Sequence, residues 1–165
     1  MKRILLMLAI SVTFLFQGCT KNEEIKADLL AEVFEVTASF TAANNYSKLI
    51  TLNPPIYNSD MVLVYRLFDV INGQSVWRQL PQAVYLIQGE LDYNFDFTKN
   101  DINIFLESNF NLNTLGTAWA QNQVFRVVII PGYLSNKNTK AIDFNDYNAV
   151  VKAFNIKESQ VKTIQ

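Results

Sequence analysis

Glu90-Leu91-Asp92-Tyr93-Asn94-Phe95-Asp96-Phe97 alternates polar and apolar side chains without a break. Successive residues of a strand point to opposite faces, so Leu91, Tyr93, Phe95 and Phe97 share one side and Asp92, Asn94 and Asp96 the other. A helix would scatter those aromatics around its circumference, whereas a strand with one dry and one wet face collects them. Just upstream, Val84–Ile87 and the turn Gln88-Gly89 supply the other arm of a hairpin. Downstream, Ile102–Leu106 alternates again, with a capped helical turn at Thr98 and Asp101 as the alternative.

The same period extends outward. Val33–Phe40 is rich in β-branched and aromatic residues, and Tyr46–Leu52 lies between the breakers Asn44-Asn45 and Asn53-Pro54-Pro55. Met61–Tyr65 is apolar on both faces, as a central strand requires. Asn72-Gly73 is the strongest hairpin signal in the chain, because both residues tolerate positive φ, and Ser75–Gln79 returns with Trp77. A loop from Asn109 to Asn122 surrounds Trp119, and Gln123–Ile130 is a strongly apolar strand stopped by Pro131-Gly132. Short strands punctuated this often predict a mainly β fold. The expectation is a single antiparallel β-sandwich, immunoglobulin-like, over residues 32–132, with a short C-terminal helix.

The C-terminal extension, residues 133–165, changes period. Tyr147, Val150, Val151 and Phe154 recur at i, i+3, i+4 and i+7, which predicts a helix of about ten residues near 145–155 with Asn145 as its cap. Its stripe is expected to pack on its own domain, with a partner protein as the other occupant. Large aromatics in a β domain are mostly anchors of core or loops, but Trp77, Trp119, Tyr147 and Phe154 are the candidate ligand or partner contacts, with Tyr85 and Tyr133 beside them. Arg66 and Arg126 each interrupt an apolar strand. They read either as buried ion pairs, with Asp69 or Asp96 as partner, or as edge charges that discourage sheet-to-sheet association.

At the other end, Lys2 and Arg3 precede an apolar run, Ile4–Phe16, and Gly18 stands directly before Cys19. A charged start, a short apolar middle and a small residue at the close read as an export signal over residues 1–18. The run is shorter than the ~20 residues of a membrane-spanning helix. Cys19 is the sole cysteine, without a disulfide partner, and is the candidate lipidation site. Residues 19–31 then form the lipidated cysteine and a tether that reaches at most about 40 Å.

Composition excludes several chemistries. The chain has no histidine, and with Cys19 committed to lipid it has no thiol for a Cys/His zinc site or a nucleophile–histidine pair. Its net charge is −1 and becomes more negative once Lys2 and Arg3 leave, which argues against a nucleic-acid partner. Asp92, Asn94 and Asp96 carry the spacing of a calcium loop, but Phe97 and Asn103 stand where such a loop needs glycine and glutamate. Glu90, Asp92 and Asp96 alternate along one open strand, which predicts no cleft for a glycosidase pair. No catalytic residue, metal site or cofactor is expected, and the protein is read as not an enzyme.

Phe16-Gln17-Gly18-Cys19 resembles the lipobox of bacterial lipoproteins in the permissive form found in Bacteroidota. That resemblance implies a diacylglycerol on the Cys19 sulfur and an acyl chain on its amino group. Lys21-Asn22-Glu23-Glu24 resembles the signal that sends such lipoproteins to the cell surface; a solvated spacer is the alternative. The stretches AEVFEVTASF (31–40), DMVLVYRL (60–67), VWRQLPQAVYL (76–86), LDYNFDFTKNDINIFL (91–106) and QVFRVVIIP (123–131) resemble small outer-membrane lipoproteins of Bacteroidota. This implies a β-sandwich anchored in the outer membrane and implies no activity. The expected function is a non-catalytic structural or interaction module of the envelope. The alternatives are an accessory subunit of an outer-membrane protein complex and a surface glycan or peptide binder.

Overall fold

The computed structural model describes residues 31–135 and 142–164. The export signal, Cys19 and the tether up to residue 30 lie outside the described residues. The fold is mainly β, with two sheets and few helices.

One sheet has the order β4-β3-β8-β1-β9: β1 Glu32–Ala38, β3 Met61–Ile71, β4 Gln74–Gln79, β8 Gln123–Ile130 and β9 Lys162–Ile164. The other has the order β2-β7-β6-β5: β2 Ser47–Thr51, β5 Gln82–Leu86, β6 Gly89–Phe97 and β7 Asp101–Ser108. All pairings are antiparallel except β1 with β9, a C-terminal strand that no periodicity in the sequence announced.

The expected hairpins form where the turn chemistry placed them. Asn72 and Gly73 both adopt positive φ, 52° and 78°, which matches the twist of β3 and β4. Between β6 and β7 the chain closes as a hairpin rather than a helical turn. Thr98 Oγ1 hydrogen-bonds Asp101 Oδ1 at 2.7 Å, and the Asn100 N–H donates to Thr98 Oγ1 at 3.0 Å.

Alternation then sorts the side chains into two cores. Val62 and Val64 of β3, Phe125 and Val127 of β8, and Val36 of β1 face Leu91, Tyr93, Ile102 and Ile104 of the second sheet. The opposite face of the first sheet, with Val33, Leu63, Tyr65, Val128 and Ile130, is covered by Tyr147 and Val150 of the C-terminal helix. Strand β8 and the Val62–Arg66 part of β3 are therefore buried on both sides, as their largely apolar runs require. In β6 the apolar face leaves the core progressively: Leu91 and Tyr93 are fully buried, whereas Phe97 is 44 % exposed.

Short helices occupy the connections: α1 Thr117–Ala120, α2 Gly132–Ser135 and α3 Tyr147–Ala153. Helix α3 lies on its own domain, with Tyr147 and Val150 buried. It is shorter than the expected ten residues, and its cap is Asp146 rather than Asn145: the Asp146 carboxylate accepts from the Asn148 N–H at 2.9 Å. The Asn145 side chain instead donates to Asp143 at 3.0 Å. A carboxylate is the stronger acceptor at the positive end of the helix dipole.

Candidate functional site

The β3–β4 hairpin and the start of α3 enclose a surface cleft of about 410 Å³. Its apolar wall comes from Ile71, Val76, Trp77 and Tyr147, and its polar rim from Asn72, Gln74, Ser75, Asn145, Asp146 and Asn148. Trp77 stands on β4 opposite Leu67, which turns it to the outer face of the first sheet. Tyr147 is the first residue of α3, so the helix that covers this face also delivers its ring. The two rings meet at 5.8 Å between centroids and a tilt of 51°. Two of the four contact residues read from the sequence thus share one site.

The other two lie elsewhere. Trp119, on α1, is half-buried against the core between the sheets, and Phe154, the C-cap of α3, lines a separate groove near the start of β1. Tyr85 is 79 % exposed on β5, away from the cleft.

Beneath the cleft lies Arg126, whose place in the site the sequence did not disclose. It faces Glu35 across β1–β8 and Tyr65 across β3–β8. Its Nε donates to Glu35 Oε1 at 3.1 Å, and Nη2 donates to the same oxygen. Nη1 donates to the Tyr147 hydroxyl at 2.7 Å and to both Glu158 oxygens at 2.9 Å. The guanidinium also lies 4.3 Å from the Trp77 ring centre and 4.9 Å from that of Tyr147. One cation therefore joins β1, β4, α3 and the turn Glu158–Gln160. Burial alone would lower its pKa, but the hydrogen bonds it donates to Glu35 and Tyr147 and the charge of Glu158 raise it above the ordinary value. Burial pushes the Tyr147 hydroxyl up to about 12, with Arg126 pulling the other way.

The expectation of an ion pair thus holds for Arg126 with different partners, Glu35 and Glu158 in place of Asp69 or Asp96. Asp69 accepts instead from the Val70 N–H. For Arg66 both expectations fail. It lies in the interior of the first sheet rather than at an edge, it is 4 % exposed, and no carboxylate pairs with it among the described residues. Its charge is solvated by dipoles and π density: Nε and Nη2 donate to Gln123 Oε1 at 3.0 and 2.6 Å, and the Tyr93 ring lies 4.2 Å away. Burial lowers its pKa, and nearby Arg78 adds to that. Arg66 Nη1 and both polar atoms of the Gln82 side chain are buried without a hydrogen-bond partner among the described residues.

Asp92, Asn94 and Asp96 lie along the solvent side of β6, where Asn94 Nδ2 donates to Glu107 at 2.6 Å. Among the described residues no three acidic, cysteine or histidine side chains gather as a metal site would need, and no helix is long and apolar enough to cross a membrane.

No family model matches the chain, and neither characterised proteins nor solved structures show a match to it.

The rim amides are the part of the site that sequence reading passed over. Gln74 and Asn148 are exposed, and their side chains make no hydrogen bond within the described residues. They offer donors and acceptors outward, around an aromatic wall held rigid by Arg126. That arrangement can bind an uncharged ligand rich in hydroxyl or amide groups.

Proposed function

We propose that this chain is a lipid-anchored protein of the cell envelope, held in the outer membrane through Cys19, and that its body is a non-catalytic interaction module. The body is read as an immunoglobulin-like β-sandwich, which two sheets, antiparallel apart from the β1–β9 pair and burying Val64, Phe125, Leu91 and Ile104 between them, support. The anchor reading rests on the charged start, the apolar run and Gly18-Cys19. The observation that carries the interaction role is the cleft, in which Trp77 and Tyr147 stand inside a rim that carries the uncommitted amides of Gln74 and Asn148.

Replacing Cys19 with serine should move the protein from the membrane to the soluble fraction. An intact chain that stays membrane-bound after this change, or mass spectra showing an unmodified Cys19 in the wild type, would overturn the anchor.

A second reading, recognition of a neutral glycan or a peptide, draws on the same rim. The double substitution Gln74→Ala with Asn148→Ala should leave stability within about 0.5 kcal/mol of wild type, because both side chains are exposed and unpaired. Titration with maltose or cellobiose should shift tryptophan emission in the wild type. Losing two hydrogen bonds should weaken that response roughly tenfold or more, at about 1 kcal/mol each. An identical titration in both proteins would remove these amides from the site.

A further inference from the structure

We infer that the end of the domain where β1 begins rests on the bilayer surface that holds the anchor, with Tyr57 and Phe97 at headgroup level. This rests on the anchor reading above and adds an orientation to it.

Register brings several segments to that end. Glu32 of β1 pairs with Ile129, and Met61 of β3 pairs with Ile130, so β1 and β3 start where β8 stops. The β6–β7 turn joins them: the Ile56 N–H donates to the Lys99 carbonyl at 2.9 Å and the Leu52 N–H to that of Asn100 at 2.7 Å. The Gly132 N–H donates to Asp60 Oδ1 at 3.1 Å, tying the segment after β8 to the loop before β3.

Large apolar rings stand exposed on this surface. Tyr57 is 73 % exposed and Phe97 44 % exposed. Lys99 and Lys157, also at this end, are exposed and have no ion-pair partner among the described residues. The acidic groups nearby are partly committed: Asp60 accepts from the Tyr57 and Gly132 N–H groups, Asp101 accepts from the Thr98 hydroxyl, and Glu158 binds Arg126. Glu32 and Asp96 remain.

Two considerations name a bilayer as the occupant. The described residues begin with Ala31 at this end, and the link back to Cys19 can reach at most about 40 Å, so the end is already confined near the membrane. Tyrosine combines an apolar ring with a hydroxyl and favours the interfacial zone, and exposed lysines suit phosphate headgroups. Confinement raises the effective concentration of this face at the surface, so a weak contact becomes populated without any high-affinity site.

The test uses the full lipid-bearing protein in vesicles of phosphatidylethanolamine and phosphatidylglycerol. Because Cys19 is the only cysteine and its sulfur carries the diacylglycerol in the anchored form, a fluorophore can be placed on Asn58→Cys, in the loop beside Tyr57, or on Gln88→Cys, at the tip of the β5–β6 hairpin. Headgroup-linked nitroxide lipids should quench the label at position 58 at least threefold more than the label at 88. The double change Tyr57→Ser with Phe97→Ser should bring the two values together while the protein still floats with the vesicles. Floating protein with equal quenching at both positions in the wild-type background overturns the inference and leaves the anchor standing. Protein that does not float overturns both.

Discussion

Replacing Arg126 with methionine should cost about 3 kcal/mol and release the C-terminal segment before the two sheets unfold. Removing one partner of a buried ion pair typically costs about 3–5 kcal/mol, because the other charge stays buried and unpaired. The Arg126 side chain is 8 % exposed and that of Glu35 24 %, so the lower end of that range applies. Glu158 is 61 % exposed and recovers water when the cation leaves. Glu158→Gln alone should therefore cost well under 1 kcal/mol. Arg126→Lys keeps the charge but loses the fork that reaches Glu35 on one side and Tyr147 and Glu158 on the other, so it should fall between these two. Urea unfolding gives the free energies, and hydrogen exchange over residues 147–164 reports the local release. Adding Glu35→Met to Arg126→Met should restore much of the lost stability, since an apolar pair of similar volume replaces the ions. A single-substitution cost below about 1 kcal/mol, or uniform exchange across the whole domain, would mean that Arg126 does not hold the segment in place.

How much of this was legible beforehand follows from which contacts are local. Period two in Leu91–Phe97, the Asn72-Gly73 turn and the largely apolar run Gln123–Ile130, broken by Arg126, are properties of short windows, and the strands form there. The stripe Tyr147, Val150, Val151 and Phe154 likewise fixed which side of α3 would be covered. What covers it depends on register between distant strands, which no window contains. Glu35 lies 91 residues from Arg126 and Tyr147 lies 21 from it; only the alignment of β1 and β8, and the return of the chain over the outer face, bring them together. Strand β9 was invisible for a related reason. Lys162–Ile164 is too short for any periodicity to register, and it is a strand only because β1 offers an edge. At the site, Trp77 and Tyr147 stood out as large aromatics, whereas Gln74 and Asn148 look like ordinary turn punctuation until the cleft places them on one rim. Arg66 failed both of its readings because its charge is met by an amide oxygen and an aromatic face, and neither leaves a mark in charge patterning.

Stability should collapse between pH 10 and 12. Tyr93 and Tyr147 are buried, and burial pushes both hydroxyls up to about 12, opposed by Arg66 for Tyr93 and by Arg126 for Tyr147. An unfolded tyrosine ionises near pH 10. Below that value both states keep the proton, and this contribution to stability is fully present. Above it the unfolded chain releases protons that the folded chain retains, so the unfolded state gains until the folded hydroxyls ionise near 12. Each tyrosine gives up about 3 kcal/mol across that interval, at about 1.4 kcal/mol per pH unit. Together they remove a large part of the ~5–15 kcal/mol that a domain of this size has. Tyr65 adds in the same direction, since burial and the nearby Tyr147, Asp146 and Asp143 raise it as well. Its hydroxyl donates to the Phe144 carbonyl at 2.7 Å, and ionisation would remove that donor along with the one Tyr93 gives to Trp119. Tyrosinate absorbance and far-ultraviolet circular dichroism recorded together should show these groups titrating in one cooperative step with the loss of β signal. The variant Tyr147→Phe should shift that step to higher pH, since one of the coupled groups no longer titrates. Formation of all seven tyrosinates near pH 10 with the β signal intact would show that these hydroxyls are open to water.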